Sequence, residues 1–155
     1  MLRWEQGRDT IEQLLRERRL DRVPPSREQA DFLLGQARLH IATARAQAEA
    51  DPALAYSALY DAARKSLVAI LANEGLRPTS TGGHIATYDA VAAQLVPPLE
   101  SQLSTFHRMR RMRNSNEYPN FDEPNAEPQD VLDDLPQAEA IIGVAERVLD
   151  QMPVY

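Results

Sequence analysis

Ala53–Pro78 reads ALAYSALYDAARKSLVAILANEGLRP, and this stretch decides the fold. Leu54, Ala58, Leu59, Ala62, Leu67, Ile70 and Leu71 recur at helical spacing. Asp51-Pro52 stands just ahead, with Asp suited to the N-cap and Pro to the first helical position. Gly75 follows Glu74 as the expected C-cap. The apolar content is rich in alanine, which favours close-packed helices over a β-sandwich.

The same pattern extends in both directions. Upstream, Ser26 with Gln29 three residues on predicts a capping box, and a helix runs from there to about Ala50. Its stripe is Ala30, Leu33, Leu34, Ala37, Ile41, Ala44 and Ala48. Met1–Leu20 also has a helical pattern (Trp4, Ile11, Leu14, Leu15, Leu20) and ends at the rigid break Val23-Pro24-Pro25. This first helix is expected outside the bundle or against a partner. Downstream, Leu76–Gly83 reads as a loop and His84–Leu95 as a shorter helix stopped by Pro97-Pro98. One helix is expected over Leu99–Glu117, an irregular acidic loop over Pro119–Pro128, and a last helix over about Gln129–Gln151 that Pro136 either kinks or divides. No segment alternates with period two for long enough to predict a strand. The expected architecture is all-α: an up-and-down four-helix bundle over residues 24–155, preceded by an additional N-terminal helix and Pro-Pro linker over residues 1–23.

Composition narrows the function. The 155 residues carry a net charge of −6, which argues against broad, non-specific coating of DNA. There is no cysteine, so disulfides and thiolate metal sites are excluded. The three histidines are too scattered to propose a metal site, and no cofactor is expected. No run is long and apolar enough for a membrane span and no signal peptide is visible, so a cytoplasmic protein without membrane contact is expected.

The chemistry concentrates in His107–Asn120, HRMRRMRNSNEYPN, with four arginines between Arg108 and Arg113. Leu99, Leu103 and Phe106 form an apolar stripe. Carried forward at about 100° per residue, that stripe next meets Arg110, Arg113 and Glu117. Charges on an inward face are costly unless paired or set in a groove. They are read in three ways. Arg110, Arg113 and Glu117 form intrahelical pairs; or the arginines line a groove that takes phosphate or carboxylate bidentately; or they stabilise the transition state of metal-independent RNA cleavage while a nearby group moves the proton. A base is needed in the last case. Tyr118, with an ordinary pKa near 10, serves that role poorly at neutral pH. His107 adjoins the cluster but lies off the central stripe. Elsewhere, His84 is read as structural at a helix start and His40 as solvent-facing or interfacial. Tyr56, Tyr60 and Arg64 read as amphipathic packing at the bundle edge, and Asp61, Arg64 and Lys65 as an ordinary charged face.

Over roughly Ser26–Met152 the chain resembles the HEPN family. The resemblance rests on the Ala-rich helix quoted above, on the TGGH loop that opens the next helix, and on RNSNEYP at the end of the arginine helix. The family is made of small helical bundles found in defence systems, toxin–antitoxin pairs and some ribonucleases. Its hallmark is an arginine, often followed by asparagine, then a histidine a few residues on. Arg113 and Asn114 match the first part, Tyr118 stands where histidine would be, and Glu117-Tyr118-Pro119 looks like the variant of branches without the full nuclease motif. The resemblance implies a homodimer whose motif helices face each other across one basic cleft lined by Arg110, Arg113 and Glu117, with RNA or nucleotide as ligand. Were it an endoribonuclease, Arg113 would stabilise the phosphate, Asn114 would orient it, and Tyr118 or His107 would replace the missing base. It further implies a nucleotidyltransferase partner, with Tyr118 the natural acceptor. The competing expectation is a catalytically inactive dimerisation module, in which the arginine–glutamate row joins two subunits.

Overall fold

The computed structural model describes residues 5–118 and 125–155. The expected helix over Ala53–Glu74 is α3, Pro52–Glu74, and it is the axis of the molecule. Both of its predicted caps form. The Asp51 side chain accepts from the Leu54 N–H at 3.2 Å, and Gly75 closes the helix in the left-handed region at φ 88°. Its side chains are buried on almost every side, Tyr56, Leu59, Tyr60, Ala63 and Leu67 completely. An element hydrophobic all round needs partners all round. They are α2 (Arg27–Gln47), α7 (Pro128–Val148), α6 (Phe106–Glu117) and α4 (Gly83–Leu95). On α2 the Ser26 hydroxyl accepts from the Gln29 N–H at 3.0 Å, and Ala30, Leu34, Ala37, Ile41 and Ala44 face inward. The all-α bundle expected from the sequence is the architecture found.

Four local expectations need correction. Residues 20–22 and 76–78, expected as helix end and loop, form a two-stranded antiparallel sheet. In it β1 (Leu20–Arg22) pairs with β2 (Leu76–Pro78), Leu20 opposite Pro78 and Arg22 opposite Leu76. Three residues are too few to carry a period-two signature. The first helix is shorter than Met1–Leu20: α1 covers Arg8–Arg16, packs on α4 of its own chain and buries Ile11 and Leu14. The helix expected over Leu99–Glu117 is broken at Ser104-Thr105 into α5 (Glu100–Leu103) and α6. Pro136, in contrast, divides nothing. It lies inside α7 on the exposed side, where water can replace the hydrogen bond that proline removes. Trp4 and the centre of the acidic loop, residues 119–124, lie outside the described residues.

One buried polar junction ties three helices. The Tyr56 hydroxyl on α3 donates to Asp134 Oδ2 on α7 at 2.6 Å, and Arg108 on α6 pairs with Asp134 Oδ1. Burial, and then the hydrogen bond to Asp134, push the Tyr56 phenol upward, so it stays a donor. Tyr56→Phe is expected to cost about 1–3 kcal/mol, a fall in Tm of several degrees by calorimetry. An unchanged Tm would remove this junction from the account.

Candidate functional site

The start of α4 is set by the TGGH segment. Thr79 is the clamp: its hydroxyl donates to the Arg18 carbonyl at 2.7 Å and accepts from the Gly82 N–H at 3.1 Å. A Cβ on Gly82 would lie 2.2 Å from the Arg19 carbonyl oxygen, so only glycine lets α4 begin this close to the β1 end. The consequence is the placement of His84. Its Nδ1 lies 2.6 Å from the Tyr60 hydroxyl on α3, and the two rings are tilted with centroids 5.5 Å apart.

The arginine helix arrives on the same spot. Phe106 and Met109 are fully buried and anchor α6 against α3. Phe106 packs on Tyr60 at 5.3 Å and stacks on Tyr88 of α4 at 5.5 Å. Arg110 and Arg113 are half-buried beside this anchor. The Arg113 guanidinium carbon stands 5.9 Å from the Tyr60 ring centroid. Arg64, one turn beyond Tyr60 on α3, adds a third guanidinium, with Nε 3.5 Å from Asp61 Oδ1.

Electrostatics confirm that these groups share one environment. Burial pushes Tyr60 up to about 12, against the opposing pull of Arg64, Arg110 and Arg113. The His84 pKa is lowered by burial first, then by Arg64, Arg113 and Arg110, with Asp61 opposing. His84 is therefore a neutral imidazole at neutral pH. Among the described residues, three guanidinium groups face two acids here, Asp61 and Glu117. Glu117 is 3.8 Å from Arg113 Nε with its side chain 45% exposed, a loose partner. Arg110 has no carboxylate partner among the described residues. Such a cluster is suited to an oxyanion, which guanidinium holds through paired N–H donors.

The residues expected from the sequence divide accordingly. Arg110 and Arg113 lie three residues apart on α6, and Asn114 accepts from Arg113 Nη1 at 3.4 Å. Arg108 is committed to Asp134. Tyr118, just past α6, is 79% exposed and makes no ring contact among the described residues. His107 lies 4.2 Å from the Tyr88 ring, an aromatic packing position. Tyr60, Arg64 and His84 are additions that the sequence reading assigned to packing. The signal available was the Tyr60–Arg64 spacing of one helical turn. Three cavities lined by described residues lie away from this cluster. One of about 460 Å³ sits between α1 and α4, where Arg19 already stands 3.7 Å from Glu17 and 3.9 Å from Asp89. Charge marks the arginine cluster.

A family model described as HEPN domain matches residues 30–152. The chain belongs to the HEPN domain family. No match to a curated protein or to a solved structure was found. The HEPN stretch opens within α2 and closes just past α7, so it contains Tyr60, His84, Arg110 and Arg113, and leaves out α1 and β1. HEPN domains are nuclease-like or nucleotide-binding folds and commonly dimerise. No helix among the described residues is long and apolar enough to cross a membrane.

Proposed function

We propose that this HEPN protein binds RNA or nucleotide phosphate through Arg110 and Arg113, in a homodimeric cleft, as part of a toxin–antitoxin or defence system. The observation that carries the reading is the surplus of guanidinium around Tyr60 and His84: Arg64, Arg110 and Arg113 all act on both groups. Asn114 orients Arg113, and Glu117 is the exposed carboxylate that an incoming phosphate displaces. Binding is favoured over cleavage, because Tyr118 stands at the position after Arg113 where the family motif carries its histidine. The 79% exposure of Tyr118 suits the acceptor of a nucleotidyltransferase partner.

The experiment takes the purified chain and Arg110→Ala with labelled single-stranded RNA in metal-free buffer, and follows binding, cleavage and oligomeric state together. Weaker binding by the variant, with RNA intact, is the expected result. Cleavage by the wild type that the variant loses would make the protein an endoribonuclease. No RNA binding by either, with a weakened dimer in the variant, would replace this reading by the inactive dimerisation module.

A further inference from the structure

His84 is the one titratable imidazole placed inside the arginine cluster, and its surroundings can be enumerated. From α3 it is faced by Tyr60, Asp61 and Arg64; from α6 by Arg110 and Arg113. Only Asp61 among these favours an imidazolium, and its carboxylate already stands 3.5 Å from Arg64. The Nδ1 edge is held by the Tyr60 hydroxyl at 2.6 Å. The ring is half-buried and not fully enclosed, so an anion settling among the guanidinium groups approaches the imidazole as well. Arg64 Nε is buried and makes no hydrogen bond among the described residues, with Asp61 Oδ1 facing it at the longer ion-pair distance of 3.5 Å.

We infer that His84 is a further ligand of the bound phosphate and that it takes up a proton as the anion binds. The inference rests on the phosphate reading above and deepens it. Without an anion, burial first and then three guanidinium groups keep the imidazole neutral. A phosphate in the cluster supplies the missing negative charge. It then makes the protonated ring, a donor at both nitrogens, the favoured form. The Tyr60 hydroxyl, 2.6 Å from Nδ1, accepts from Nδ1–H of the protonated ring. Affinity for phosphate must then rise as the solution becomes more acidic, since ligand binding and proton binding are linked and each strengthens the other.

The probe is a short oligouridylate with hydroxyl groups at both ends. Its phosphodiesters keep a constant charge across the range, unlike a terminal phosphate, whose second pKa is about 6. Calorimetric titrations in buffers of different ionisation enthalpy count the protons taken up. The wild type is expected to bind about tenfold more tightly at about pH 5.5 than at about pH 8, the gain that a rise of about one unit in the His84 pKa produces. Proton uptake is expected between those limits. His84→Asn, which keeps a group to meet the Tyr60 hydroxyl, is expected to bind with a flat pH profile and no uptake. The ring signals of His84 in the wild type, followed by NMR with and without the oligouridylate, give the same answer should that variant fold poorly. Binding independent of pH, with no proton uptake and an unmoved His84 titration, overturns the role of His84 and leaves the arginine site standing. No binding at any pH overturns both.

Discussion

Arg113→Ala is expected to weaken RNA binding about tenfold to a hundredfold, corresponding to the roughly 1.5–3 kcal/mol of one charge-assisted contact. The size follows from where the side chain sits. Arg113 is only 27% exposed, lies over the Tyr60 ring, and accepts orientation from Asn114 and Glu117 on its own helix. A guanidinium already fixed in this way loses little freedom on meeting a phosphate, so its removal cannot be made good by a mobile neighbour. The salt dependence gives a second measure. Each phosphate contact to a single strand contributes about 0.7 to the slope of log affinity against log salt, so the variant should bind with a slope lower by about that amount. The fold gives no reason for a large loss of stability, because Arg113 makes no buried ion pair. Filter binding or anisotropy at several salt concentrations reads both quantities. Affinity and slope equal to the wild type would remove Arg113 from the site.

The second large effect concerns stability. Glu74 ends α3 with its side chain in the core, 1% exposed, and its Oε1 accepts from the Gln94 amide at 3.0 Å. Oε2 has no hydrogen-bond partner among the described residues. Burial raises the carboxyl to about 8, the Gln94 bond opposing only in part. The folded state thus holds a proton that an unfolded glutamate, near its ordinary 4.5, gives up. Stability must be fullest in acid and fall by about 1.4 kcal/mol for each unit between those two values, levelling off above about pH 8. Glu74→Gln keeps the acceptor for Gln94 and removes the ionisation. It is expected to match the wild type near pH 5 and to exceed it by about 3–5 kcal/mol near pH 9, read by urea unfolding across the range. Parallel stability curves for the two proteins would show that Glu74 ionises in the fold at no unusual cost.

The legibility of this chain in its sequence follows the range of the interactions involved. Local chemistry was readable. Ser26, Asp51-Pro52 and Gly75 define the ends of α2 and α3 because caps act within one turn, and the alanine-rich stripe of α3 declares a helix buried on many sides. The period alone puts Arg110 and Arg113 on the face that continues from Phe106, where both are half-buried, while Glu117 on the same row is exposed. What escaped depends on partners distant in sequence. β1 and β2 exist because Leu20–Arg22 finds Leu76–Pro78 across more than fifty positions. Tyr60 and His84 look like packing residues until α4 sets His84 against α3. That placement turns on the Thr79 clamp and the missing Cβ of Gly82, features with no periodic signature. The break at Ser104-Thr105 is likewise a response to fitting Leu103, Phe106 and Met109 into one core.

The central claim is that Arg64, Arg110 and Arg113 form one phosphate site over Tyr60 and His84. Side-chain NMR of the isotope-labelled chain, titrated with the same short oligouridylate, tests it most directly. The guanidinium Nε–H signals of Arg64, Arg110 and Arg113 and the ring signals of His84 are expected to move together and saturate together. Arg38 and Arg45, paired with Glu146 and Glu139 on another face, should stay in place. Movement of those distant arginines while the three in the cluster remain fixed would contradict it.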